Sequence, residues 1–244
     1  MTKEEAIAQV NGPLGTVMRE VSAFYAVPFI WGTPGMEVRN GSAFFWRSDN
    51  AILLGVTASH NYEAYLEVRA RSAGVVCQLG TDVTIDISKR LIDCRRNLKE
   101  PDIATFHVTE EEVTSAQKWV FSMSPCTPEV GKGVFFAGFP AAAREQVGSA
   151  SYNLGIMSGL VVASSVNDRD ITCHFEREYM VAAPSGPCDF GGVSGAFLAA
   201  VIDRNQQLSL WRPAGVVYEF QPSLEILKAH RLDTNLLPDG RIKR

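Results

Sequence analysis

The amino-acid sequence predicts an all-β fold, either a β-sandwich or a pair of β-barrels. Short apolar segments of strand length recur from Val27 to Glu219, and turn-forming residues separate them. Helical periodicity is confined to the two ends of the chain. Hydrophobic residues make up 46% and charged residues 20% of the 244 residues, which is typical of a globular protein with a substantial core.

The first series of predicted strands follows an N-terminal arm. Residues 1–26 are expected to form this arm or short helices, because Asn11-Gly12-Pro13 interrupts helix-forming sequence. Ser48-Asp49-Asn50 is typical of a hairpin turn between two strands. The predicted strands cover residues 41–47, 52–57, 65–69, 74–78 and 103–108. They define a first β-unit over residues 27–112.

A second series of strands follows a polar connection that contains Glu110-Glu111-Glu112 and two prolines. We therefore predict a linker over residues 113–128 and a second β-unit over residues 129–221. Its predicted strands cover residues 133–138, 149–154, 157–163, 171–175, 179–182, 196–202 and 208–219. In the final segment, 222–244, helix-spaced apolar residues after Ser223 predict a C-terminal helix over 224–230, followed by a tail.

Charge and motif content exclude several classes of function. A formal net charge of -4 provides no basic face for nucleic acid. The apolar runs are far shorter than the ~20 residues that a membrane-spanning helix needs. The N-terminus has no apolar signal segment, so a cytoplasmic location is expected, with five free cysteines. Neither metal-ligand spacing nor a phosphate-binding loop occurs, and we expect no metal and no cofactor.

His60 is the histidine with the strongest sequence context. It follows the apolar segment 52–56 and the small residues Thr57-Ala58-Ser59, so a buried strand is expected to hold it rigidly at a cleft. A histidine placed in this way suits general-base catalysis. The other three histidines lie in predicted strands or at the end of the last predicted helix: His107, His174 and His230.

Ser194 lies among the glycines of the segment 191–195. Residues without a Cβ allow backbone N–H groups to converge, and the N–H groups of Gly192 and Ser194 could form an oxyanion hole beside the hydroxyl. The alternative is a glycine-rich turn without function. Asp102 starts an apolar segment and is the candidate carboxylate that orients His60, unless it is simply a surface residue at a strand end. The next candidates for this role are Asp82, Asp86 and Asp93.

The order His60, Asp102, Ser194 coincides with a family resemblance. Residues 57–60 resemble the T-A-x-H strand end of the chymotrypsin- and trypsin-like serine peptidases, and residues 102–106 resemble their D-I/L-A segment. Residues 192–198 resemble their G-D/N-S-G-G-P-L segment. Further similarities, partly to the intracellular and bacterial branch, occur in the same order at residues 41–45, 134–140 and 214–218.

The resemblance implies a fold and an activity. The fold would be two antiparallel six-stranded β-barrels of the chymotrypsin type with a short C-terminal helix. His60, Asp102 and Ser194 would form a catalytic triad in the cleft between the barrels and hydrolyse peptides or proteins through an acyl-enzyme. The residues that the resemblance places around the primary substrate pocket are Cys188, Asp189, Gly215, Val216 and Val217.

The chain departs from the family pattern at two places. Val193 replaces the acidic residue that pairs with a newly cleaved N-terminus in activated members, so this switch is not expected here. Ala196-Phe197 replaces the usual Gly-Pro after the serine segment.

Two other functions are compatible with parts of the sequence. A protease-like module could bind a peptide or protein without cleaving it. An α/β-hydrolase would use Ser194, Asp203 and His230 in that order, but Ala196 breaks its G-x-S-x-G motif and the predicted strands do not alternate with helices.

Overall fold

The computed structural model describes residues 7–8, 10–33, 35–36, 38–72, 74–80, 83–148, 151–182, 190–204 and 208–244. The described helices are α1 Pro13–Tyr25, α2 Ser59–Arg71, α3 Glu110–Ser115 and α4 Leu232–Asn235. The strands that precede residue 130 are β1 Ala26–Gly32, β2 Val38–Arg47, β3 Leu53–Thr57, β4 Val76–Leu79, β5 Val83–Thr84, β6 Leu91–Cys94, β7 Ala104–His107 and β8 Val120–Phe121. The strands that follow are β9 Gly133–Gly138, β10 Arg144–Gln146, β11 Tyr152–Leu154, β12 Met157–Val166, β13 Asp170–His174, β14 Met180–Ala182, β15 Phe197–Arg204, β16 Leu208–Gln221 and β17 Ile226–Arg231.

The strands form two large sheets, one from each half of the chain. In the first sheet the order is β5-β4-β1-β2-β3-β7-β6, and the short β8 joins β2 in parallel. In the second sheet the order is β13-β17-β16-β15-β9-β12-β14, and β12 also pairs with β13, which closes a six-stranded barrel. The all-β double-barrel prediction is confirmed, with the second barrel closed by strand pairing and the first a curled sheet.

A layer of aromatic side chains holds the two sheets together. Phe44 of β2 and Phe121 of β8 contact Phe197 of β15, with ring centroids 6.3 and 5.1 Å apart. These three rings are fully buried. Separate apolar clusters fill the first sheet and the second barrel. Because native packing is dense, this interface fixes the position of residues at the facing edges of the two units.

The helix α2 replaces a predicted strand at residues 65–69. Its buried face consists of Ser59, Asn61, Tyr62 and Tyr65, so it lacks the apolar stripe that would have indicated a helix. His60 therefore lies in the first turn of a helix that follows β3, and not at the end of a strand.

The predicted C-terminal helix over 224–230 is also wrong. This segment contains β17, which lies between β16 and β13 and supplies the sixth strand of the second barrel. Leu227 and Ala229 are buried while their neighbours are partly exposed, which is the alternation of a strand. The second barrel thus extends beyond the predicted boundary at residue 221, and the helix that follows is α4.

Five further strands lie where the sequence did not predict them: β1, β5, β6, β8 and β10. The central strand β1 contains Pro28, which normally argues against a central strand. The predicted linker contains β8, which pairs with Phe45 and Trp46. Of the helices in the described residues, none is long and apolar enough to cross a membrane.

Candidate active site

His60 and Asp102 form a hydrogen-bonded pair at the edge of the first sheet. The ring Nδ1 of His60 lies 2.6 Å from Oδ2 of Asp102, and the backbone N–H of His60 donates to Oδ1 at 3.0 Å. The Asp102 side chain is 11% exposed and the His60 side chain 38% exposed. The carboxylate is therefore held inside the protein while the imidazole reaches the protein surface.

Asp102 lies where its carboxylate can accept a hydrogen bond from the first turn of helix α2. The first N–H groups of a helix lack partners within the helix, and no side chain of the preceding residue Ala58 caps this one. Asp102, in the connection before β7, supplies an acceptor to the first turn, and its negative charge also favours the helix N-terminus. The same carboxylate thus stabilises the helix and orients the ring of His60.

Arg95 is a second partner of Asp102. Its Nη1 lies 3.2 Å from Oδ1, and its guanidinium also binds both carboxylate oxygens of Glu63 on α2, at 2.8 and 2.7 Å. Burial raises the pKa of Asp102, but the hydrogen bonds and charge of His60 and the charge of Arg95 outweigh it, so the pKa lies below its ordinary value. Asp102 is consequently ionised at neutral pH.

The ionisation of Asp102 determines the tautomer of neutral His60. A carboxylate only accepts hydrogen bonds, so the proton of the imidazole resides on Nδ1, which faces Asp102. Nε2 is then the unprotonated nitrogen. This is the arrangement in which an imidazole can accept a proton from a hydroxyl.

Ser194 follows a tight turn that needs glycine. Val193 N donates to Phe190 O at 3.1 Å, and Gly192 has φ +91 at the third position, as in a type II turn. A Cβ on Gly192 would lie 2.7 Å from the carbonyl oxygen of Phe139. The sequence motif thus reflects both a left-handed backbone and close packing.

The backbone N–H groups of this turn are candidates for anion binding. Gly191 O accepts from Ala141 N at 2.5 Å. Because a trans peptide places its C=O and N–H on opposite sides, the N–H of Gly192 points away from Ala141. Within the described part of the chain, neither Gly192 N–H nor Ser194 N–H donates a hydrogen bond.

Several hydrogen bonds join the Ser194 segment to the first sheet. Ser42 N and Asn61 Nδ2 donate to Ser194 O at 2.9 and 2.8 Å. Ser42 Oγ donates to Gly192 O and accepts from Phe139 N, both at 2.8 Å. Since Asn61 is the residue after His60, these bonds fix the serine segment directly against the element that carries the histidine.

Among the described residues, no hydrogen bond joins the hydroxyl of Ser194 to His60. Within the described part of the chain, this hydroxyl donates its one hydrogen bond to Tyr218 O, at 3.4 Å. Such a distance is long for an O–H···O bond, for which 2.5–3.0 Å is normal. The structure thus brings His60 and Asp102 together, and places Ser194 beside them with its hydroxyl turned to β16.

The residues predicted around the substrate pocket fall into two groups. Cys188 and Asp189 lie outside the described residues. Gly215, Val216 and Val217 lie in β16, and the two valines are 0% and 1% exposed. The valine side chains fill the protein interior, because alternate positions of this strand face its two apolar clusters, so a substrate pocket along the backbone of this strand stays a prediction.

An aromatic cluster lies beside the serine segment instead. Phe190, four residues before Ser194, stacks on Phe220 with centroids 3.5 Å apart, and both contact Phe175. These are the residues that sequence reasoning missed near the expected pocket. Each is a phenylalanine near the end of a strand or of the serine segment. Phe175 directly follows β13, Phe220 lies near the end of β16, and Phe190 precedes the turn before Ser194.

The remaining candidates from the sequence are engaged elsewhere. Asp86 binds Arg69, and Asp93 accepts from Ile242 N and binds Arg244. Asp82 is not among the described residues. His230 pairs with Asp170 at 2.6 Å and its ring stacks on Tyr218.

The α/β-hydrolase alternative is wrong, because the sheet that carries Ser194 is antiparallel throughout its described pairings. Asp203 belongs to β15 of that sheet. Within the described residues no group of three or more potential metal ligands occurs.

Arg95, Asn61, Ser42 and Tyr218 also contribute to the site without having been predicted. The sequence signals were weak: Asn61 adjoins His60, and Ser42 lies in the segment 41–45 that resembles a family strand. Their roles arise from contacts between distant parts of the chain.

Comparison with known proteins supports the fold. No protein-family model and no curated protein sequence matches the chain. A solved structure named HBP is similar with a TM-score of 0.54 and 11% identity, covering 88% of this chain and 89% of that one.

Two further solved structures have comparable similarity. An inactivated protease paralogue of the scabies mite has a TM-score of 0.51 and 10% identity over 88% of this chain and 91% of that one. Neuropsin, a serine protease of mouse brain, has a TM-score of 0.50 and 10% identity over 86% of this chain and 90% of that one. The chain therefore has the double-barrel fold of the chymotrypsin-like serine proteases.

Proposed function

We propose that this protein is a serine endopeptidase with the triad His60, Asp102 and Ser194. The observation that carries the proposal is the 2.6 Å bond between His60 Nδ1 and the buried, ionised Asp102. This bond leaves Nε2 as the basic nitrogen of an imidazole at the protein surface.

The first chemical step requires a rotation of the Ser194 side chain. Its hydroxyl leaves Tyr218 O and donates to His60 Nε2, which takes the proton as Oγ attacks the substrate carbonyl. The bond that is given up is long, at 3.4 Å, and even a normal hydrogen bond contributes only about 0.5–1.5 kcal/mol net. A rotamer change of this kind takes picoseconds to nanoseconds for a side chain that is not fully buried.

The turn before Ser194 would stabilise the negative charge that develops on the substrate oxygen. The N–H groups of Gly192 and Ser194 have no other acceptor among the described residues, so they can donate to that oxygen. Removal of one such donor typically costs about 2.7–4 kcal/mol of transition-state stabilisation. The bonds from Ser42 to both carbonyls of this segment keep the turn rigid.

The proposed reaction proceeds through an acyl-enzyme on a peptide or protein substrate. Attack by Ser194 releases the amine fragment, which receives the proton from His60. Water, deprotonated by the same histidine, then releases the acid fragment. Apart from the substrate and this water, the proposed steps use side chains and backbone groups of the chain.

A second candidate is a protease-like module that binds a peptide or protein without cleavage. The contact of Ser194 with Tyr218 in place of His60 favours it. One of the similar structures is itself named an inactivated protease paralogue. In this case the hydroxyl would stay on the Tyr218 carbonyl, and the aromatic cluster beside Ser194 would serve as a binding surface.

A fluorophosphonate probe distinguishes the two candidates, because it labels only an activated serine. We expect the wild-type protein to be labelled, Ser194→Ala to be unlabelled, and the matched control Ser164→Ala, an exposed serine of β12, to be labelled like wild type. Circular dichroism verifies that each variant is folded. A folded wild-type protein that the probe does not label would refute the peptidase proposal and support the binding module.

A further inference from the structure

A cavity of about 650 Å³ lies on the outer face of the first sheet, away from the candidate triad. Side chains alternate along β1 and β4, so Phe29 and Leu79 point into the core while Ile30 and Val76 line the cavity. The β10–β11 hairpin lies across from them and contributes Leu154. A volume of this size lies within the range of about 300–1,000 Å³ that is usual for small-molecule sites.

Lys118 brings a positive charge to this cavity, whose described lining is predominantly apolar but includes Gln78, Gln117 and Asn153. Its Nζ donates to Ala23 O at 2.6 Å and lies 5.8 Å from the ring centroid of Phe139, and both of these residues also line the cavity. An ammonium has three N–H donors. Across the described residues Lys118 forms no salt bridge, so its charge has no carboxylate partner there.

The electrostatic state of Lys118 agrees with this geometry. Burial lowers the pKa of its ammonium to about 8, and within the described residues no acid opposes the effect. At pH 7 the group is still mostly protonated. Among the described residues, the cavity therefore presents one cation without a carboxylate partner, beside a wall that is predominantly apolar.

We propose that this cavity binds an apolar monocarboxylic acid whose carboxylate pairs with Lys118 and whose hydrocarbon chain lies between β1, β4 and the β10–β11 hairpin. One carboxylate balances one ammonium, whereas a phosphate monoester would bring a second, unpaired charge into an apolar site. The hydrocarbon chain would replace water on Ile30, Val38, Val76 and Leu154. This site goes beyond the proposed peptidase function, and its occupancy does not depend on catalysis.

Calorimetric titration at pH 7 with octanoate, and with octanamide as its neutral analogue, tests the proposal. We expect the wild-type protein to bind octanoate at least tenfold more tightly than octanamide. Lys118→Met, which keeps the length of the side chain and removes its charge, is expected to abolish this preference. Lys118→Arg retains a cation and is expected to preserve it, and Lys132→Met alters an exposed lysine outside the cavity as the control.

Three results would overturn the proposal. The first is no binding of octanoate up to 10 mM by a folded wild-type protein. The second is equal binding of octanoate by wild type and Lys118→Met. The third is tighter binding of octyl phosphate, or of an apolar peptide with a free C-terminal carboxylate, than of octanoate.

Discussion

The substitution Asp102→Asn is expected to inactivate the site through the tautomer of His60. Oδ1 of Asp102 accepts from two groups that can only donate, His60 N and Arg95 Nη1. The amide oxygen of asparagine must therefore take the place of Oδ1, and its NH₂ group then faces His60 Nδ1. Since that NH₂ donates, Nδ1 must accept and the proton moves to Nε2.

The size of the effect follows from the loss of the base. With a proton on Nε2, neutral His60 cannot accept the proton of Ser194. The corresponding change in a Ser-His-Asp triad lowers kcat by about 10⁴-fold, which equals about 5.5 kcal/mol of activation free energy. We expect a decrease of this order in the rate of fluorophosphonate labelling, with the fold retained because asparagine has nearly the same shape.

Two measurements test this reasoning at different levels. The labelling rate reports reactivity, and ¹⁵N-detected NMR of the imidazole reports which nitrogen carries the proton, even if the protein has no activity. The matched control is Asp170→Asn, which changes the other His-Asp pair of the chain. In that variant we expect the tautomer of His60 to stay as in wild type.

The reasoning would be refuted by an Asp102→Asn protein in which His60 retains its proton on Nδ1. It would also be refuted if the tautomer changed and the labelling rate stayed within threefold of wild type. The second outcome would mean that His60 is not the base for Ser194.

Three other predictions concern the turn and the buried carboxylate. Gly195→Ala is expected to lower the free energy of unfolding in urea by more than about 3 kcal/mol, because Gly195 has φ +88 and a Cβ would overlap the Ser42 carbonyl oxygen. Gly131→Ala, at φ +82 in open space, is the control and should lose only about 1–2 kcal/mol; equal losses would contradict the steric argument. Because the pKa of Asp102 is lowered on folding, its contribution to stability is present above its ordinary pKa of 3.8 and is lost as the pH falls through the folded value. Urea denaturation from pH 6 to 2 should therefore show a smaller loss of unfolding free energy for Asp102→Asn than for wild type. Parallel curves for the two proteins would contradict this prediction. Ser42→Ala leaves Gly192 O without its donor and should cost about 1–3 kcal/mol of stability and slow labelling, whereas unchanged labelling would show that this bond does not support the turn.

The strand content of this protein could be predicted where a segment of strand length is rich in apolar residues. The segments 133–138 and 157–163 carry enough apolar residues to indicate β9 and β12. The glycines around Ser194 were likewise informative, because a backbone at φ +91 or +88 strongly favours glycine whatever the partner. In these places the sequence alone determines the local structure.

Helix α2 and strand β17 could not be predicted in the same way. The first turn of α2 receives its acceptor from Asp102, 42 residues further along the chain. The residues of β17 have helix-compatible spacing, and they form a strand because β13 and β16 both present unpaired edges to that segment. Backbone groups must find hydrogen-bond partners, and here those partners are supplied by distant segments.

In the candidate site, too, some features were determined by the sequence and others by the tertiary structure. The types and order of its residues, His60, Asp102 and Ser194, were determined by the sequence, together with the glycines that shape the turn. The tertiary structure alone decided that Arg95 binds Asp102 and that the Ser194 hydroxyl faces Tyr218. Sequence patterns report burial and backbone conformation at short spacing, whereas charge pairing and hydroxyl direction depend on atoms that only the folded chain brings together.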